Sequence, residues 1–116
     1  MTAPTSSKPS TLDPAEVEKF ARLATEWWDP RGKMAVLHKF NPVRLAYIRR
    51  LAVEAFGLEA RAGRPLSGLS LLDIGCGGGL LCEPLARLGA EVTGIDPAST
   101  NVETARLHAE KSGVPV

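Results

Sequence analysis

Five residues in this chain have the types and spacing to hold a small charged ligand. Asp73, Gly75, Gly77 and Gly79 alternate through the stretch Leu72-Asp73-Ile74-Gly75-Cys76-Gly77-Gly78-Gly79, and Asp96 follows 21 residues after Gly75. A glycine turn lets a ligand approach the backbone without meeting Cβ atoms. A helix beginning just behind the turn adds free N–H groups and a positive dipole end. A carboxylate at the tip of the next strand can accept both hydroxyls of a ribose, and 21 residues is near the spacing of about 20 expected for such an acid. One glycine-rich match is weak by itself. The ordered set of strand, glycines, helix, strand and terminal acid is stronger, because each part falls in the context it needs.

These residues require a particular set of elements. Leu71 to Ile74 read as a short buried strand, and a helical pattern begins at Leu80 and runs to Leu88, with Pro84 early and Gly89 as its stop. Ala90 to Ile95 read as a second strand closed by Asp96-Pro97. Thr100-Asn101-Val102-Glu103 reads as a capping box that opens a helix to about Lys111, with Gly113 at its end. Val114-Pro115-Val116 would begin a third strand. Upstream, Asp13-Pro14-Ala15-Glu16 is a cap with proline at the first helical position, followed by Val17, Phe20, Ala21, Leu23, Ala24, Trp27 and Trp28 at helical spacing. Arg31 to Phe40 is expected as a loop. Asn41-Pro42 would start a second helix whose apolar face is Val43, Ala46, Tyr47, Leu51, Ala52 and Phe56, stopped by Gly57. Trp27 and Trp28 cannot share one narrow stripe, so one is expected to pack inward and the other to line a groove, although both could be core. His38 is weighed as a general base, against the plainer reading of a satisfied or solvated ring.

Composition sets limits on function. The chain has 116 residues, a net charge of +1 and 44% hydrophobic residues. Such a balance gives no generic pull toward nucleic acid or an anionic membrane, and no amphipathic basic helix is evident. Cys76 and Cys82 form neither a disulfide framework nor a zinc spacing, and suit a reducing compartment as small buried residues. Residues 1–12, rich in Ser, Thr and Pro, read as a disordered tail.

Two ligand classes use a site of this kind. Dinucleotides prefer a third small residue in G-x-G-x-x-G/A, and Leu80 stands there instead. The spacing Asp73-x-Gly75-x-Gly77-x-Gly79 resembles motif I of class I S-adenosylmethionine-dependent methyltransferases. Phe20-Ala21 with Trp27-Trp28-Asp29, Leu37-His38-Lys39-Phe40-Asn41-Pro42-Val43-Arg44-Leu45, the glycine stretch and Thr93-Gly94-Ile95-Asp96 together resemble the ubiquinone-biosynthesis O-methyltransferase family. The resemblance runs from about Val17 to the end and covers only the N-terminal portion of that family.

The resemblance implies an α/β, Rossmann-like class I methyltransferase fold, truncated and preceded by an N-terminal helical cap. The expected division is tail 1–12, helical cap 13–56, linker 57–68 and the start of the S-adenosylmethionine-binding domain at 69–116. It implies that Gly75 admits the methionine portion, Asp96 binds the ribose hydroxyls and Arg44 pairs with the cofactor carboxylate. Asp73 fixes the loop or approaches the amine. The family's substrates are polyprenylated phenols. No nucleic acid is implied. Peripheral contact with a membrane and association with other quinone-biosynthesis enzymes are compatible with such substrates, in a cytoplasmic protein. No residue here is assigned as a catalytic base or metal ligand; the family's acidic, His-containing segment, and any divalent metal it serves, would lie outside this chain. These residues alone are expected to bind cofactor weakly and to turn over nothing. A methyltransferase acting on another small phenol or lipid, and a cofactor-binding remnant without turnover, remain the alternatives.

Overall fold

The computed structural model describes residues 13–116. The expectation of a disordered tail at 1–12 lies outside the described residues. The elements are α1 (Pro14–Trp28), α2 (Ala35–Phe56), β1 (Ser70–Ile74), α3 (Cys82–Arg87), β2 (Glu91–Ile95) and α4 (Ser99–Ser112). The two strands pair in parallel with Ser70 opposite Glu91 and Ile74 opposite Ile95. A parallel pair needs a crossover connection, and α3 supplies it. The result is a truncated α/β unit with a helical cap ahead of it.

α1 begins where its sequence signals place it. Asp13 Oδ1 accepts the Glu16 N–H at 2.8 Å, and Pro14 occupies the first helical position. Phe20 and Ala24 are its buried residues. Beyond it, Asp29 Oδ1 accepts the Arg31 N–H, making the short turn into α2.

α2 departs from expectation in two ways. It starts at Ala35, so much of the stretch expected as a loop is helical and Pro42 lies inside the helix. An internal proline costs roughly 3 kcal/mol. Two tertiary hydrogen bonds offset it: Asn41 Nδ2 donates to Leu80 O at 2.8 Å, and His38 Nε2 donates to Trp27 O at 2.8 Å. The inward face also differs. Leu45, Ile48 and Ala52 pack against the core, whereas Val43, Tyr47, Leu51 and Phe56 are exposed. Both sides of this helix are apolar, so periodicity alone does not choose between them. The outer side exposes Val36, Phe40, Val43 and Tyr47, with Lys39 and Arg50 beside them.

The core joins these elements around Leu66, Cys82, Leu85, Ala86, Ala90, Val92 and Val114. Leu66 is fully enclosed, so the 57–68 stretch contributes to the core as well as connecting its neighbours. Arg49 donates from Nη2 to Ala60 O and ties that stretch to α2. Gly94 is set by packing, since a Cβ there would stand 2.9 Å from Cys82 Sγ and 3.0 Å from Cys76 Sγ. The other face of the sheet leaves Leu72, Ile74 and Ile95 exposed. α4 starts at Ser99, and its N-cap Ala98 has no side-chain cap, so Thr100 does not serve as the expected cap. The turn before α4 is held by Asp96, whose Oδ1 accepts the Ala98 N–H at 2.8 Å. Residues 114–116 follow Gly113 without joining the sheet, so the expected third strand is not formed there.

Candidate cofactor site

The glycine turn is fastened to the end of β2. Gly75 and Cys76 both donate their N–H to Ile95 O, at 2.7 and 2.9 Å, and Gly77 N–H donates to Asp96 Oδ2 at 3.0 Å. Gly75 has φ +79°, and a Cβ built on it would meet nothing within 4 Å. The turn therefore needs glycine for its backbone and leaves an open cradle beside it.

That cradle is one wall of a cleft of about 410 Å³, which Arg44, Asp73, Gly75 and Gly77 line together with Trp27, Leu37, Cys76, Leu80 and Leu81. Four of the six residues singled out from sequence thus meet in one cavity. Asp96 sits at its edge, joined to it through the Gly77 N–H. Gly79 does not line it. Its φ of +90° is what calls for glycine there; a Cβ would stand in ordinary contact with Ala105 Cβ of α4, at 3.4 Å.

The polar groups are held before any ligand arrives. Asn41 bridges two of them, donating to Leu80 O and accepting from Arg44 Nη2 through Oδ1 at 2.8 Å. Sequence reading took Asn41 for a helix cap; its one clue as a site residue was its place three residues before Arg44. Asp73 Oδ2 accepts from Cys82 Sγ at 3.3 Å. Burial, reinforced by the Asp73 charge, pushes the Cys82 thiol far above its ordinary range, so it stays protonated and donates. Burial raises Cys76 as well, with Asp73 and Asp96 adding to it. Asp96 moves the other way. The Ala98 and Gly77 N–H groups hold its carboxyl below the usual range, with the Asn101 amide helping at 3.2 Å. It is therefore an anion with both oxygens oriented, the form suited to accepting hydroxyl donors.

Both tryptophans converge on the same turn, which sequence reading did not foresee. A Cβ on Gly77 would stand 2.6 Å from Trp27 Cη2, and one on Gly78 would stand 2.5 Å from Trp27 Cγ. Trp28 Nε1 donates to Gly78 O at 3.0 Å, and its ring stacks on His108 with centroids 4.0 Å apart and planes 2° from parallel. His108 Nδ1 donates in turn to the buried Glu83 carboxylate at 2.6 Å. His38 Nε2 donates to Trp27 O, which makes it a support for α1. Among the described residues, no three His, Cys, Asp or Glu side chains converge as a metal site, and no helix is long and apolar enough to cross a membrane.

Residues 72–116 match the sequence profile described as "Methyltransferase domain". With the strand, glycine turn, helix and parallel strand seen here, that match defines the class: part of a class I S-adenosylmethionine-dependent methyltransferase fold. The narrower resemblance holds too, because curated relatives named "Ubiquinone biosynthesis O-methyltransferase" are 56–62% identical over most of this chain. One, from Chelativorans sp. (strain BNC1), is 62% identical over 107 residues, covering 92% of this chain and 42% of the relative. Another, from Mesorhizobium japonicum, is also 62% identical, covering 92% of this chain and 43% of its own length. A third, from Methylobacterium sp. (strain 4-46), is 60% identical across all 116 residues, or 45% of its length. The chain thus spans less than half the length of the curated relatives it matches.

Proposed function

We propose that this chain is the cofactor-holding part of an O-methyltransferase of ubiquinone biosynthesis, acting on phenolic hydroxyls of polyprenylated dihydroxybenzenes. The carrying observation is the convergence of Arg44, Asp73, Gly75 and Gly77 on one cleft with Asp96 fastened at its edge. The residues fit S-adenosylmethionine by chemistry. A fixed guanidinium suits its carboxylate, an open glycine cradle suits its amino-acid portion, and an oriented carboxylate suits its ribose hydroxyls. When bound, the cofactor supplies a methyl group on a positively charged sulfur.

The chain's own residues then bind and align. Arg44, braced by Asn41, sets the carboxylate end; Asp96 sets the ribose end; and the turn between them fixes the distance. Asp73 fixes the turn or meets the amine, while Gly77 and Gly79 shape it. Alignment of this kind removes much of the entropic part of a transfer barrier. No residue of this chain is assigned as the base that takes the phenol proton, and the ligands of any divalent metal would lie outside it. The substrate's apolar tail makes peripheral contact with a membrane, on a cytoplasmic protein, part of the proposal, and the outer face of α2 supports it. Association with other enzymes of quinone synthesis belongs to the same reading; nucleic acid has no part in it.

Calorimetric titration of the protein expressed from its complete reading frame, with S-adenosylmethionine, tests the cofactor assignment. Product analysis with demethylated quinone precursors tests the substrate. Absence of binding heat refutes the first. Methylation of other phenols but not these precursors refutes the second.

A further inference from the structure

We infer that Trp27 is a specificity-determining wall of the cleft, one that reads the positive charge on the ligand's sulfur. The inference rests on the proposal that the cleft takes S-adenosylmethionine. Three observations carry it. Trp27 lines the cleft together with Arg44, Asp73 and Gly75. Its indole runs along the glycine turn, the Cβ–Cγ end over Gly78 and the six-membered ring over Gly77. The segment that carries the ring is anchored. His38 Nε2 fixes the Trp27 carbonyl at 2.8 Å, and the next residue, Trp28, is fixed by Gly78 O and by the His108 stack. A large aromatic surface is thus set at the mouth of the cleft before ligand arrives.

The cleft's charged residues have direct partners that cofactor and product share. Arg44 and Asp73 line it, Asp96 borders it, and each would address a carboxylate, an amine or a ribose. S-adenosylmethionine and its demethylated product share all of those groups. They differ at sulfur, a sulfonium cation in one and a neutral thioether in the other. Among neutral side chains, an indole face is the best partner for such a cation, within about 6 Å of the ring. Among the neutral side chains lining the cleft, Trp27 is the one that can face that charge with an aromatic surface. Its contact favours the cofactor and is lost once the sulfur is neutral, so it also favours release of the product. The double glycine at 77 and 78 gains a reason apart from the ligand, since any larger residue there would collide with the ring.

The test is calorimetric titration of the protein from its complete reading frame with S-adenosylmethionine and, separately, with S-adenosylhomocysteine. Trp27→Leu is expected to weaken the first by about tenfold and the second by less than about threefold. Trp27→Phe keeps a weaker aromatic face and should fall between. Should Trp27→Leu fail to fold, the ratio in Trp27→Phe decides. An unchanged ratio in the Trp27 variants, with both ligands weakened alike, overturns the inference and leaves a packing residue. If the unmodified protein binds neither ligand, the cofactor reading itself falls and takes the inference with it.

Discussion

Substituting Gly78 by alanine tests how α1 is joined to the glycine turn. Gly78 has no positive φ, so an alanine fits its backbone. The added Cβ would stand 2.5 Å from Trp27 Cγ, 2.6 Å from Cδ2 and 2.8 Å from Cβ. Those atoms are the root of the side chain, so a rotamer change does not clear them and α1 must shift. Overpacking of this kind costs about 1–3 kcal/mol. Trp27→Ala alone removes a half-buried indole and should cost about 2–3 kcal/mol, below the range for a fully buried ring. In the Trp27→Ala background the clash is gone. Gly78→Ala should there be neutral, or stabilise by about 0.4–1 kcal/mol through the unfolded chain. The expected coupling is therefore about 1–3 kcal/mol, readable from urea unfolding of the four proteins in the cycle. Gly77→Ala provides an internal contrast. Its φ of +55° adds roughly 1–2 kcal/mol of left-handed strain that removing Trp27 cannot relieve. Additivity of Gly78→Ala and Trp27→Ala within about 0.5 kcal/mol would refute the docking of α1 on the turn.

Three further outcomes are expected. Arg44→Lys keeps the charge but loses the planar fork, and should weaken S-adenosylmethionine binding by about tenfold in calorimetry; unchanged affinity would remove Arg44 from ligand contact. The Asp96 carboxyl is held below its unfolded value of about 3.9, so its stabilisation is fully present above that pH and is lost as pH falls through the lower folded value. The stability advantage of the unmodified protein over Asp96→Asn should thus be constant from pH 7 to about 5 and shrink below about 4, and urea midpoints showing a constant advantage down to pH 3 would contradict the assigned hydrogen bonds. Leu66→Ala should cost about 2–5 kcal/mol, and a loss under about 0.5 kcal/mol would return the 57–68 stretch to a mere spacer.

Local signals were legible wherever one residue type has one dominant physical use. Asp13 followed by Pro14 marked the start of α1, and Gly57 and Gly113 marked helix ends in the left-handed conformation. The strand, glycine turn and strand-end acid were legible because their order is itself information. The start of α2 was not. Asn41-Pro42 is a strong initiation signal, and only contacts 11 and 39 residues away, from His38 to Trp27 and from Asn41 to Leu80, outweigh it. Those bonds join separate elements, so no window of sequence contains them. The inward face of α2 was hidden for a related reason. With apolar residues on both sides, the choice belongs to the surface it meets.

The glycines make the sharpest case, because sequence gives them all one meaning and the structure gives them several. Gly75 alone of the alternating three opens onto free space in the cleft, as a ligand cradle requires. Gly77 and Gly78 yield to an indole that arrives from some fifty residues upstream, and Gly79 is set by its own φ of +90°. Gly94, a strand residue, yields to two cysteine side chains. Each has its own physical reason, and the glycine does not record which. Asp96, accepting from Gly77, Ala98 and Asn101, joins Ile95 O in tying the turn to the second strand, so that these separate demands are met in one geometry. The cofactor grip is therefore the joint product of an acid that holds the turn's shape and an N-terminal helix that fills the space its glycines leave.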